Sequence, residues 1–126
     1  MDDKKLTLLI VDDNKENREL LCKRLSRDGF KTVGAKDGVD AMNVLKKETI
    51  HLTLLDIMMP EVDGITLLSQ IRENSLFDNM PVIMLTAIDI INVAQDCLSK
   101  GACGYITKPY DMDLVKQKIK QCLNEK

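Results

Sequence analysis

An open α/β fold, with five parallel strands and helices covering both faces, follows from three features of the sequence. Short apolar runs alternate strictly with segments of helical periodicity. Several of those runs are apolar almost throughout, which is how a parallel strand buried on both faces reads. The chain has 126 residues, which suits one domain with roughly two-thirds of its unfolded surface buried. Strand–helix alternation implies a parallel sheet built from right-handed crossovers. Five units are too few to close an eight-stranded barrel, so the sheet stays open.

The five expected strands are Leu6 to Val11, Lys31 to Ala35, Leu52 to Leu55, Val82 to Leu85 and Gly104 to Thr107. The first helix is marked by Leu21, Cys22 and Leu25 and is ended by Gly29, a residue suited to a left-handed C-cap. Ala41, Met42 and Leu45 mark the second, which opens at Asp37-Gly38, and Ile65, Leu68 and Ile71 mark the third. The fourth runs from Ile90 to Lys100 and stops at Gly101. Leu114, Val115, Ile119 and Cys122 form the apolar face of the fifth.

Composition narrows the class of function. Hydrophobic residues make up 44% and charged residues 30%, the balance of a soluble globular domain. The net charge is −2 with no basic block, which argues against direct nucleic-acid binding. No apolar run approaches the ~20 residues that span a bilayer, and Met1 to Lys5 is no secretory leader. The expectation is one cytoplasmic domain over residues 1–126, with no membrane contact. Cys22, Cys97, Cys103 and Cys122 show no C-x-x-C spacing, and they are expected to be reduced, with Cys22 and Cys122 as small packing residues. His51 falls at the wrong end of its strand for a ligand and is expected to be an ordinary surface residue.

Ligands of open α/β sheets bind at the carboxyl ends of the strands. There the first strand ends in Asp12-Asp13, the third in Asp56, the fourth in Thr86-Ala87 and the fifth in Lys108-Pro109. Any one of these is ordinary, since Asp after a strand is often a helix cap. Together they place three carboxylates, a hydroxyl and an ammonium at one end of an apolar sheet. Two carboxylates about 5 Å apart repel by about 3 kcal/mol at an effective dielectric of 20, so the site wants cations beyond Lys108. Oxygen donors without His or Cys suit Mg²⁺. A carboxylate beside such an ion can attack phosphorus while the metal and the ammonium neutralise the transferring group. The residues therefore point to a Mg²⁺-assisted phosphoryl acceptor.

The chain also resembles the response-regulator receiver domains of two-component signalling systems. The likeness runs from Leu6 to about Leu123. It rests on four ordered blocks: Val11-Asp12-Asp13-Asn14; Leu54 to Pro60 with Asp63-Gly64; Pro81 to Ala87; and Gly101-Ala102 leading to Tyr105-Ile106-Thr107-Lys108-Pro109-Tyr110. The resemblance implies a flavodoxin-like sheet in the order 2-1-3-4-5 and a role for each site residue. Asp56 would be the phosphoacceptor. Asp12, Asp13, Asp56 and the backbone carbonyl of Met58 would hold Mg²⁺, with Mn²⁺ as a substitute. Lys108 would bind the phosphoryl group, the Ala87 amide would contact it, and Thr86 and Tyr105 would be switch residues. A cis Lys108-Pro109 bond is implied as well. So are a histidine kinase or histidine phosphotransfer protein as donor, and an effector protein or fused output domain as recipient. The signal would pass through the face made by the fourth helix, fifth strand and fifth helix, with room for a phosphorylation-dependent homodimer. The implied protein is a signalling switch that acts chemically only on its own phosphoryl group.

Two rival classes fit the sequence less well. An aspartyl-phosphate phosphatase generally carries a second acid two residues past its nucleophile, where this chain has Met58, and it needs length for a substrate cap. A flavodoxin-like cofactor binder needs a phosphate loop after the first strand, and Asp12-Asp13-Asn14 would repel phosphate there. At the positions two past Asp56 and two past Thr86 stand Met58 and Ile88, neither able to orient water, so the phosphoryl state is expected to be long-lived. The apolar start of the fourth helix, Ile90 to Ala94, is expected to be half core and half exposed.

Overall fold

The computed structural model describes residues 6–59 and 63–124. Met1 to Lys5 and Pro60, on which two of the expectations above draw, lie outside the described residues. Five strands form one sheet, β1 (Thr7–Val11), β2 (Lys31–Ala35), β3 (Leu52–Leu55), β4 (Val82–Thr86) and β5 (Gly104–Thr107). The helices between them are α1 (Lys15–Arg27), α2 (Gly38–Lys47), α3 (Gly64–Glu73), α4 (Ile91–Ser99) and α5 (Met112–Asn124). The spatial order is β2-β1-β3-β4-β5, with every neighbouring pair parallel. Fold class and strand order are those expected.

Side-chain alternation along the strands splits the core into two layers. Leu9, Val11, Leu55 and Met84 point to the layer that holds Ala41, Leu67, Leu68, Ile71 and Cys97 from α2, α3 and α4. Leu8, Ile10, Leu54 and Ile83 point to the other, with Leu21 and Leu25 of α1 and Val115, Ile119 and Cys122 of α5. Leu25 is fully buried, so truncation to Ala should cost about 2–5 kcal/mol.

Local chemistry sets the helix ends. Asn14, Asp37 and Asp63 cap α1, α2 and α3 by accepting from the amides of Asn17, Asp40 and Thr66. Gly29 and Gly101 take positive φ, +101° and +107°, at the turns after α1 and α4. Helix α4 has no side-chain cap at Ile90.

Five details differ from the sequence expectations. A 3₁₀ turn, Ser75–Phe77, follows α3. Leu114 leaves the apolar face of α5 and is exposed. The start of α4 is more exposed than half: Ile90 and Ile91 are 57% and 72% accessible, and only Cys97 of this helix is fully buried. Periodicity identifies one apolar stripe but not how closely a helix approaches the sheet.

The cysteines are the fourth correction. Cys103, just before β5, and Cys122, in the last turns of α5, form a disulfide with Cα atoms 6.1 Å apart. Cys22 and Cys97 are free thiols. Spacing along the chain detects only local pairs, whereas this one is made by α5 folding back over β5. His51 is likewise more than a surface residue: half-buried, its Nδ1 accepts from the Thr7 amide at 2.9 Å and steadies the start of β1.

Candidate functional site

Strand register brings the site together. Val11 pairs with Leu55 across β1 and β3, so the next residues, Asp12 and Asp56, leave the sheet side by side. Thr86 pairs with Thr107 across β4 and β5, and the Lys108 amide continues that ladder by donating to the Thr86 carbonyl at 2.8 Å. The Asp56 amide donates to the Val11 carbonyl and the Asp12 amide to the Ala35 carbonyl, each at 3.1 Å.

Lys108 closes the cluster. Its Nζ donates to Asp12 Oδ2 at 3.1 Å and to Asp56 Oδ2 at 3.0 Å, bridging residues 96 and 52 positions away. The second carboxylate oxygens are held by local amides, Asp12 Oδ1 by Asn14 N at 2.9 Å and Asp56 Oδ1 by Met58 N at 3.1 Å. Both aspartates are 7% exposed. Burial works against the Lys108 ammonium, but the hydrogen bonds and charges of Asp56 and Asp12 outweigh it and raise its pKa above the ordinary lysine value.

Around this centre, Thr86 is fully buried and its hydroxyl accepts a long 3.5 Å bond from the Ile88 amide. Tyr105 is half-buried, and its hydroxyl donates to the Ile88 carbonyl at 2.7 Å. Burial, followed by the charges of Cys97, Asp89 and Asp56, pushes the Tyr105 hydroxyl pKa up. The tyrosine is thus tied to the loop that follows Thr86. Ala87 is exposed at the head of that loop, and Met58 is exposed beside Asp56. The Lys108-Pro109 bond is cis.

Asp13 stands apart from the other acids. It is exposed, and among the described residues no group of three His, Cys, Asp or Glu side chains is disposed to hold a metal ion. Asp12 and Asp56 face Lys108 instead. By charge alone a hard cation would be favoured at this end of the sheet: the carboxylates of Asp12, Asp13 and Asp56 stand against one ammonium, leaving an excess of two negative charges. A groove of about 610 Å³ between Arg72, Met80, Gly101 and the Cys103–Cys122 bond adjoins the starts of β4 and β5, away from this chemistry.

Two contributions to the site were not legible in the sequence, although Asp63-Gly64 belongs to the blocks that carry the resemblance. Gly64, at the start of α3, packs against the backbone of the acceptor: a Cβ there would collide with the Asp56 carbonyl oxygen and lie 2.7 Å from Ile57 Cα. Arg18, on α1, donates from Nη1 to the Asp12 carbonyl at 2.9 Å. Its place on the helix that follows Val11-Asp12-Asp13-Asn14 carried no signal beyond an ordinary charged face.

This fold and this end-of-strand cluster define a class of protein, an open five-stranded α/β domain with acids and a lysine gathered where its strands end, and comparison with known proteins names it. The model of the response regulator receiver domain matches residues 8–120, so the chain belongs to the response-regulator receiver family of two-component systems. Members of that family are signalling switches rather than metabolic enzymes. Over 118 residues, 94% of the chain, it is 39% identical to the sensor histidine kinase RcsC of Escherichia coli strain K12, matching 12% of that protein. Over 115 residues, 90% of the chain, it is 39% identical to the regulatory protein VanRc of Enterococcus gallinarum, matching 48% of it. The chain therefore spans from about an eighth to about half the length of these curated relatives. A CheY-like receiver domain from Methanospirillum hungatei superimposes with a TM-score of 0.89 at 28% identity, covering 97% of this chain and 96% of that one. Among the described residues, no helix is long and apolar enough to cross a membrane.

Proposed function

We propose that residues 1–126 form a single receiver unit in which Asp56 accepts a phosphoryl group from a phosphohistidine. The observation that carries this reading is the Lys108 ammonium shared between Asp56 and Asp12 where two adjacent strands end. A carboxylate that is buried, fixed through both oxygens and paired with a cation is oriented but not neutralised.

An oxygen of Asp56 attacks phosphorus, the bond from phosphorus to the imidazole nitrogen breaks, and its electron pair returns to the histidine ring. Lys108 follows the developing charge on the phosphoryl oxygens, and the Ala87 amide and Thr86 hydroxyl receive those oxygens. Asp12, Asp13, Asp56 and the Met58 carbonyl are the residues that would hold Mg²⁺ or, in its place, Mn²⁺. Bound there, the ion supplies positive charge to the transferring group.

The weak hold on the Thr86 hydroxyl leaves it free to turn toward the new phosphoryl oxygens. The Ile88 carbonyl, and with it Tyr105, then has reason to move, altering the surface made by α4, β5 and α5. A switch of this kind needs two packings separated by only a few kcal/mol. The names of the relatives support a histidine kinase or phosphotransfer protein as donor and an effector or fused output domain as recipient. The charge and composition support a cytoplasmic domain without direct nucleic-acid or membrane contact. The exposed start of α4 offers a surface for a phosphorylation-dependent homodimer.

The test is incubation with acetyl phosphate or phosphoramidate and Mg²⁺, followed by intact mass measurement. One phosphoryl group should add to the parent and none to Asp56→Asn. An unchanged parent mass, or equal labelling of the variant, overturns the proposal. Size-exclusion chromatography of both states then reads dimerisation.

A further inference from the structure

Arg18 touches none of the carboxylates, yet it holds the peptide between two of them. The carbonyl it binds at 2.9 Å belongs to the Asp12–Asp13 peptide, so its direction decides how Asp13 leaves the end of β1. On the opposite side, the Asp12 amide is fixed to the Ala35 carbonyl of β2. Further along, Asp12 Oδ1 takes the Asn14 amide, and Asn14 caps the helix that carries Arg18. The acidic turn is thus pinned to β2 on one side and to α1 on the other, and Arg18 is the only side-chain pin onto its main chain that a helix supplies among the described residues.

Gly34 makes room for this arrangement. It pairs with Ile10 in the sheet, and its backbone is not in the left-handed region that would demand glycine. A Cβ at this position would stand 3.2 Å from Arg18 Cδ, 3.3 Å from Cγ and 3.4 Å from Nε. The glycine is a lane in the surface of β2 through which the arginine stem runs to reach Asp12.

We propose that Arg18, seated across Gly34, is a positioning residue that aims the exposed Asp13 carboxylate at the cation site. The inference rests on the function proposed above. It predicts a sign opposite to simple electrostatics. A fixed positive charge beside an acidic pocket opposes binding of a divalent cation, so its removal alone would tighten binding. Loss of a group that orients a metal ligand loosens binding, typically by about 10–100-fold.

The measurement is Mg²⁺ affinity of the full chain by calorimetry, with amide hydrogen exchange of the metal-free protein as a second readout. Arg18→Gln should weaken Mg²⁺ binding by about 10-fold or more and speed exchange at Asp13 and Asn14. Arg18→Lys should fail to restore affinity, because an ammonium keeps the charge without the guanidinium's reach and planar geometry. Gly34→Val should weaken binding in the same direction with the Arg18 charge intact, since a β-branched residue suits the strand but blocks the lane. Arg27→Gln, an equal charge change at the other end of α1, should leave affinity within twofold of the parent, roughly the scatter expected of a remote surface charge.

Equal or tighter binding by Arg18→Gln, or parental affinity in Arg18→Lys, overturns the inference and leaves the proposed function standing. If Arg18→Gln does not fold, Gly34→Val alone decides, and parental affinity there is disproof. A parent that neither binds Mg²⁺ nor gains phosphate overturns the proposed function, and this inference with it.

Discussion

Gly64 and Asp56 are packed so closely that the glycine's missing Cβ is what lets α3 begin against the acceptor's own carbonyl. The Gly64 amide also donates to the Ile57 carbonyl at 2.9 Å, which fixes the turn leaving β3. In Gly64→Ala the obstacle is backbone rather than a yielding side-chain tip. Stability should fall by about 1–3 kcal/mol, the range of overpacked sites, and labelling of Asp56 by acetyl phosphate should slow. Urea unfolding and labelling rates check both, and a variant of parental stability would disprove the contact.

Lys108 gives the site a pH dependence whose sign follows from its raised pKa. A lysine titrating higher when folded contributes stability that is complete below the unfolded value of about 10.4 and is lost as pH rises through the folded value. With metal chelated, the parent should be more stable than Lys108→Met by a constant margin between about pH 7 and 9. The margin should narrow above about pH 10.4. A margin that grew with alkalinity would contradict the bridge to Asp12 and Asp56.

Met58 is 59% exposed beside the acceptor, and half-buried Ile88 lies on the loop after Thr86. Neither can orient an attacking water, so the phosphoryl group should persist. Met58→Glu places a carboxylate where it can act as a base, and loss of label in Mg²⁺ buffer should quicken severalfold. Equal half-lives for parent and variant would remove any role for this position.

The Cys103–Cys122 bond predicts a thiol count. Denatured without reductant, the protein should take up two alkyl groups, at Cys22 and Cys97; after reduction it should take up four. The bond joins residues 19 positions apart, a loop whose closure stabilises by about 3 kcal/mol in the chain-entropy model. Denaturant midpoints with and without reductant test that figure, and four alkyl groups without reductant would refute the bond.

Much of the fold was legible because burial on both faces leaves a local trace. The apolar runs of β1, β3 and β4 are buried at every position, so the chain could be divided without knowing its partners. Parallel pairing then carries Asp12, Asp56 and Lys108 to one end of the sheet whatever the side chains do. Helix faces were harder. Leu114 and Ile91 fit an apolar pattern yet face solvent, because periodicity does not say how wide a stripe the sheet will cover.

The order of residues by itself determined the five-unit sheet, the opening of the second helix at Asp37-Gly38, and which strand ends carry acids, a hydroxyl and a lysine. These depend on neighbours within one turn or one strand. Tertiary structure decided that one ammonium serves both Asp12 and Asp56, that Tyr105 is tied to Ile88, that Cys103 meets Cys122, and that Arg18 crosses Gly34. Each of these is a contact of a few ångströms between segments distant in the chain, set by how the layers pack, and no local pattern records it.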